Sequence, residues 1–301
     1  MAKKYYGEIE ISKYDARHKA LVLPVVRIDA GNATGSGTVI YSDKNAEDEF
    51  TTLVLTNEHV VDGLIKVEER WDALLKRPIK KDILGIPVVE FFEYRWESRA
   101  VGSRGVQSEI VAYDKEEDLA LLKLSSGKPA DAVATLYPRG QEHKIRVTMP
   151  VYCIGAGAGD PPVTTEGILS QFGRIIENRE FWQATAPSFF GNSGGALFLA
   201  ETYEFIGVPA RLLVQGGLYG SQAITHMGYS IPITRVYNFL EHHRFRFVYD
   251  AKFTEVGEAK ERERLRQQEK ERMGRDDSEK TEHPHQTGDA SDGVTDDGAN
   301  A

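Results

Sequence analysis

The chain has 301 residues, 41% of them hydrophobic, enough to bury the core of one large or two small β domains. Its 46 acidic and 37 basic side chains leave a net charge of −9, which argues against a nucleic-acid or membrane surface. The single cysteine, Cys153, excludes an intrachain disulfide, and no apolar run has the length of a membrane-crossing helix. Residues 1–19 are a polar and aromatic lead-in without clear periodicity. The start, Met1-Ala2-Lys3-Lys4, carries basic residues but no apolar signal-peptide stretch, so a cytoplasmic location is expected. Ala20 to Ile28 is rich in β-branched residues and reads as a strand. Asp29 to Gly35 is turn chemistry. Gly37–Tyr41 and Thr51–Leu55 read as strands around a polar loop, and His59 follows on a short turn or helix.

Val67, Trp71, Leu74 and Leu75 fall at helical spacing, so a helix is predicted over Val67 to Arg77, limited by Pro78. Val88–Trp96, Ser108–Tyr113 and Leu119–Leu124 read as strands. Ser125 to Arg139 reads as a connection to a second set: Val147–Ile154, Thr164–Ser170, Phe181–Thr185, Ala196–Leu199, Phe205–Val208 and Ala223–Ile231. Cys153 lies in an apolar strand and reads as a buried, inert thiol. Gly155 to Asp160 has the glycines of a phosphate loop but no following Lys-Ser/Thr, and Pro161-Pro162 blocks the helix start it needs. Ile233 to His243 suits a terminal helix. His242, His243, Glu116 and Glu117 are expected in solvent, and no cluster has metal-ligand spacing. Residues 251–275 read as an exposed helix with Glu258–Arg262 and Glu261–Arg264 pairs. Residues 276–301 are acidic, almost without large hydrophobes, and are expected to be disordered.

The stretch Gly191-Asn192-Ser193-Gly194-Gly195 reads as a nucleophile turn. A serine hydroxyl needs a base beside it and donors for the oxyanion it creates. Gly191 has no Cβ, so its N–H can turn towards a substrate, and with the Ser193 N–H it would form a two-donor oxyanion hole. A histidine in Thr56-Asn57-Glu58-His59-Val60-Val61 and a carboxylate in Asp118-Leu119-Ala120-Leu121 lie at the edges of strand-like runs. The order His59, Asp118, Ser193 is one in which the Ser-His-Asp geometry is built.

With Gly35-Ser36-Gly37-Thr38-Val39-Ile40, Val151 to Gly155, Thr165-Glu166-Gly167-Ile168-Leu169-Ser170 and Gly228-Tyr229-Ser230-Ile231-Pro232, these motifs make the chain resemble the trypsin-like serine peptidases of the HtrA/DegP-like branch. The resemblance implies an all-β fold of two six-stranded antiparallel β-barrels within a peptidase domain of 20–250. Barrel one would span about 20–125, barrel two about 140–232, and a terminal helix 233–243, with no PDZ domain. It implies a serine endopeptidase that cleaves proteins or peptides through an acyl-enzyme, with His59, Asp118 and Ser193 as triad and no metal or organic cofactor. No nucleic-acid or membrane partner is implied, and the oligomeric state stays open. Two alternatives are a catalytically silent trypsin-fold binding or scaffold protein and an α/β-hydrolase esterase; the latter needs its histidine last in the chain, whereas His59 precedes Ser193.

By the same resemblance, the residue six before the nucleophile sits at the base of the substrate pocket. Here it is Pro187, which implies no preference for Lys or Arg. Phe189, Phe190, Val208, Pro209 and His226 are further pocket candidates, and Pro209 has no N–H for pairing with substrate backbone. The spacing from His59 to Asp118 exceeds that usual in this branch. The extra segment, about 64–106, reads as either a decorative insertion or a recognition element beside the cleft. Asn192 stands where processed relatives carry an aspartate, so activity without N-terminal cleavage is expected.

Overall fold

In a computed structural model, residues 11–72, 77–217 and 220–281 are described. In chain order the strands are β1 (Val25–Asp29), β2 (Thr34–Lys44), β3 (Phe50–Thr56), β4 (Ile65–Asp72), β5 (Arg77–Leu84), β6 (Val88–Arg95), β7 (Arg99–Asp114), β8 (Leu119–Leu124), β9 (Pro150–Gly155), β10 (Val163–Ile176), β11 (Arg179–Ala184), β12 (Ala196–Leu199), β13 (Phe205–Gly217) and β14 (Gly220–Pro232). Among the described residues four α-helices accompany them: α1 (Ile11–Arg17), α2 (Glu58–Val61), α3 (Ile233–His242) and α4 (Glu255–Thr281). The strands close into two antiparallel six-stranded barrels, ordered β1-β2-β3-β8-β7-β6 and β10-β11-β14-β13-β12-β9. The all-β, two-barrel expectation therefore holds.

Strand alternation explains the packing. Successive side chains of a strand point to opposite faces. In barrel one, Val54, Ala120 and Leu122 fill the barrel interior with Val26, Ile28 and Val39. Their neighbours Leu53, Leu55, Leu119 and Leu121 belong instead to the core that contains barrel two and α3. Both faces of β3 and β8 are thus buried, which is why these strands read as near-continuous apolar runs. Each fully buried aliphatic side chain contributes roughly 1.5–3 kcal/mol. The helix α3 buries Ile233, Val236, Tyr237 and Leu240, a helical 3–4 spacing, against this second core.

Six local expectations are corrected. The helix predicted over Val67 to Arg77 is the hairpin β4–β5, with Val67 opposite Asp82 and Trp71 opposite Pro78. A spacing of four fits one face of a helix and one face of a strand equally, so Val67 and Trp71 did not discriminate. Glu68 faces Lys81 across the ladder, and Pro78 is tolerated because each strand of a two-stranded sheet is an edge. Leu74 and Leu75 lie outside the described residues.

At the N-terminus, the strand expected from Ala20 begins only at Val25. The helix α1 continues as a π-helical turn, His18–Val22, which buries Leu21, and Pro24 ends it. In α4 the helix runs to Thr281, past the expected limit at 275 and through Gly274; residues 282–301 lie outside the described residues. Glu258 turns inward, 3% exposed, and pairs with Arg246 at 2.6 Å rather than lying on an exposed helix face, whereas the Glu261–Arg264 pair forms at 2.6 Å. Finally, Glu117 is not simply solvated but pairs with Arg235 of α3 at 2.6 Å, and His243 is partly buried against Phe239. Burial pushes the His243 imidazole below its ordinary value, with His242 beside it adding to the effect.

Candidate active site

The two ends of one strand pair bring His59 and Asp118 together. In the β3–β8 ladder Thr56 stands opposite Ala120. The chain leaving β3 and the chain entering β8 therefore meet at the same sheet end, three residues after Thr56 and two before Ala120. There His59 Nδ1 lies 2.9 and 3.0 Å from the two Asp118 carboxylate oxygens, and the His59 backbone N–H donates to Oδ1 at 3.2 Å. Asp118 is 7% exposed, whereas the His59 side chain is 42% exposed towards the cleft. Asp118 adopts a left-handed backbone, φ 54°, which costs a non-glycine residue about 1–3 kcal/mol. The fully buried Asn57 offsets part of that cost by donating its Nδ2 to the Asp118 carbonyl at 2.8 Å.

Charge tunes this pair. Burial works against protonation of His59, but the hydrogen bond and charge of Asp118, with Asp62 and Glu58 adding to them, lift its pKa above the ordinary imidazole value. Glu58, 6% exposed, has its carboxyl pushed up by burial first and then by Asp62 and Asp118.

Ser193 sits on a turn whose backbone is almost wholly accounted for. Across the four peptide bonds from Phe190 to Gly194, the Phe190 carbonyl accepts from Ala158 N–H at 2.8 Å, and the Gly191 carbonyl from the Ser36 hydroxyl at 2.6 Å. Asn192 N–H donates to Phe189 at 3.0 Å, and the Asn192 carbonyl accepts from Gly195 N–H at 2.9 Å. The Ser193 carbonyl accepts from Ser36 N–H at 2.8 Å, and Gly194 N–H donates to Pro209 at 3.0 Å. Two groups have no partner in these four peptides among the described residues: the N–H of Gly191 and the N–H of Ser193. Backbone donors are rarely left orphaned, so two side by side mark a place where an oxygen anion can sit. Gly191 (φ 97°) and Gly194 (φ 84°) both need the left-handed backbone. At Gly194 a Cβ would lie 2.2 Å from the Ser36 carbonyl oxygen.

Ser193 Oγ makes no hydrogen bond to His59, a contact that often tightens only when substrate binds. Gly35 lies where a Cβ would meet Val60, the residue after His59, at 2.7 Å and the Ser193 carbonyl at 3.3 Å. Asn192, 1% exposed, packs under the turn, and its Nδ2 lies 3.8 Å from Cys153 Sγ. The Cys153 thiol is fully enclosed, and burial pushes its pKa up to about 11, so it is inert at neutral pH.

Below the turn lies a cavity of about 10 Å³, the space of about one water, lined by Cys153, Ala186, Ser188, Pro209, Gly228 and Ser230, among others. Of the pocket residues expected from sequence, only Pro209 lines it. Phe189 and Phe190 point outward, 42% and 72% exposed. His226 is exposed on β14 beside Thr225, whose carbonyl accepts the Ser188 N–H. Val208 is buried in the barrel core, and Pro187 gives only its carbonyl, to the Thr165 hydroxyl at 2.6 Å. Sequence reasoning missed Ser188, Gly228 and Ser230; the last two were inside a motif already singled out, without a role. A larger open cleft of about 620 Å³ runs from His59 and Asp118 to Ala210, Arg211, Glu177 and Arg179. Arg211 and Glu177 pair across it at 2.7 Å.

A fold of two such barrels, with His59 and Asp118 paired at one strand end and Ser193 on a glycine turn of the second barrel, defines a class, and residues 35–208 match the family model of the trypsin-like peptidase domain. The chain belongs to that family. It is similar to the serine protease Do-like HtrA of Lactococcus lactis subsp. cremoris, 31% identical over 150 residues that cover 46% of this chain and 35% of that protein. It is also similar to a probable periplasmic serine endoprotease, DegP-like, of Hahella chejuensis, 27% identical over 67% of this chain and 33% of that one. The chain thus spans about a third of the length of these curated relatives. Among solved structures, an HtrA-type protease AlgW with tripeptide superposes with a TM-score of 0.53 at 23% identity, covering 78% of this chain and 64% of that one, a likeness of fold.

Proposed function

We propose that the chain is a serine endopeptidase that cleaves peptide bonds of proteins or peptides through an acyl-enzyme. Ser193 Oγ attacks the scissile carbonyl, His59 takes the proton and passes it to the leaving amine, and Asp118 holds the imidazole and stabilises its cation. The N–H groups of Gly191 and Ser193 receive the oxyanion. The observation that carries this reading is the backbone accounting of the turn: the two donors left without partners are the N–H of Ser193 itself and the N–H of Gly191, and a paired His59–Asp118 is present to serve as base. No metal step is invoked; among the described residues no group of His, Cys, Asp and Glu gathers as a metal site.

The cavity lined by Ser188, Gly228 and Ser230 has room for about one water, so a long or bulky side chain before the scissile bond does not fit it. A cytoplasmic site of action belongs to the same proposal, with cell fractionation as its test. The central experiment is fluorophosphonate labelling of the full chain beside Ser193→Ala, followed by mass spectrometry of a peptide library. Labelling of the wild type alone, with cuts after Ala, Ser or Val, is expected. Equal labelling of both proteins, or none, would favour a silent trypsin-fold binding protein.

A further inference from the structure

The motif Gly35-Ser36-Gly37 belongs to barrel one, yet it holds the nucleophile turn of barrel two. Ser36 is fully buried and uses every polar atom on that turn and its neighbours. Its hydroxyl donates to the Gly191 carbonyl at 2.6 Å and accepts from Ala156 N–H at 2.7 Å. Its N–H donates to the Ser193 carbonyl at 2.8 Å, and its own carbonyl accepts from the Thr56 hydroxyl at 2.7 Å. One hydroxyl has one proton and lone pairs to accept with, so this bridge fixes both the Gly191–Asn192 peptide and the loop that leaves β9.

That loop controls the next peptide. A trans peptide directs its C=O and N–H to opposite sides. Ala158 N–H holds the Phe190 carbonyl, so the Gly191 N–H on the same peptide is turned the other way and left free. The loop is strained at one residue: Ala158 has φ 56°, a left-handed backbone that costs a non-glycine residue, whereas Gly159 at φ 81° takes it freely. Its anchor is again in barrel one. Arg27 of β1 donates to the Gly159 carbonyl while paired with Glu90 of β6 and stacked over Phe92 at 5.5 Å. A part-buried guanidinium held by a carboxylate and a ring is stiffer than an exposed ion pair.

We propose that barrel one sets the oxyanion hole of barrel two, with the Ser36 hydroxyl and the Arg27 guanidinium as positioning residues. Neither touches the reacting atoms. Ser36 orients the Gly191–Asn192 peptide, and Arg27 acts through Gly159 and Ala158 on the Phe190–Gly191 peptide. Competence for catalysis is therefore coupled to the docking of the two barrels.

This inference rests on the serine-peptidase reading, and the experiment separates the two. Full-length wild type, Ser36→Ala, Arg27→Met and Arg27→Lys are compared by fluorophosphonate labelling, kcat and KM on a cleaved peptide, affinity for a peptidyl boronic acid, and thermal midpoint. Deleting one oxyanion donor outright costs about 10²–10³ in kcat, so losing its support is expected to cost about 30-fold for Ser36→Ala and about tenfold for Arg27→Met. KM should stay within about threefold. Boronate affinity should fall with kcat, because the boronate carries the tetrahedral oxygen, and Arg27→Lys should recover part of the loss. A purely structural role would lower the thermal midpoint without separating boronate affinity from KM, and that pattern would overturn the proposal. So would folded variants with unchanged kcat. If Ser36→Ala does not fold, the Arg27 pair decides. Absence of labelling in the wild type itself would remove the peptidase reading, and this inference with it.

Discussion

The nucleophile turn around Ser193 and the hairpin β4–β5 are both short, polar segments that reach the surface, but they are held in opposite ways. The turn borrows its partners from elsewhere: Ser36 of β2 takes two of its backbone carbonyls, and Ala158 in the loop after β9 and Pro209 of β13 take one backbone group each. The hairpin pairs with itself from Ile65↔Leu84 to Asp72↔Arg77 and shows Val67 and Trp71 to solvent, 59% and 69% exposed. The Tyr113 hydroxyl donates to Asp82, linking the hairpin to β7, and Ile65 packs at the edge of the barrel-one core. A segment whose hydrogen bonds come from distant elements tolerates almost no change. One that closes its own ladder tolerates much.

The largest test of that contrast is chemical. Ser193→Ala is expected to abolish turnover and leave the fold intact. Asp118→Asn is expected to lower kcat by about 10⁴, because the amide favours the wrong imidazole tautomer. Steady-state kinetics on the purified variants checks both, and near wild-type turnover in Asp118→Asn would remove that residue from the mechanism.

A second test is structural. Gly194→Ala places a methyl 2.2 Å from the Ser36 carbonyl and 2.3 Å from the Thr56 hydroxyl, at φ 84°. A loss of about 3 kcal/mol or more is expected. At Gly63, just before β4, a Cβ meets nothing within 4 Å, so Gly63→Ala should stay within about 0.5 kcal/mol. Denaturant titration of both variants measures the difference, and equal losses would break the contrast.

pH gives a third. His59 must be neutral to act as base, and its pKa is raised in the folded protein, so kcat/KM should fall as pH drops through a value above the ordinary imidazole range. Glu58 is one of the groups raising it, so Glu58→Gln should move that limb to lower pH. The Glu58 carboxyl is itself raised on folding; its contribution to stability is fully present below its unfolded value and is lost as pH rises through the folded one. The same variant should therefore melt higher than wild type at pH 7 and equally at pH 4. An unmoved kinetic limb would mean that Glu58 does not reach His59.

The smallest effect is expected in the hairpin. Trp71→Ala, on a side chain 69% exposed, should change stability by no more than about 0.5 kcal/mol. A thermal shift well beyond that would show that the hairpin packs against a partner in solution.

The residues of the chain by themselves already marked the strands and the candidates His59, Asp118 and Ser193, and the family resemblance they carry implied the two barrels. Each candidate lies in a short run whose chemistry is local: an apolar strand end, or a glycine turn that only glycine can make. Strand existence was legible for the same reason, since alternation and β-branching are written residue by residue. Periods shared by helix and strand were not legible, which is why Val67 and Trp71 read as a helix. Only the tertiary structure decided which groups meet across the chain. It paired Glu258 with Arg246, turned Phe189 and Phe190 outward, and put Ser188, Gly228 and Ser230 around the cavity. It also placed Ser36, 157 residues before the nucleophile, under the Gly191 carbonyl. Such contacts depend on strand register and on how one barrel docks on the other, and no local pattern of residues encodes either.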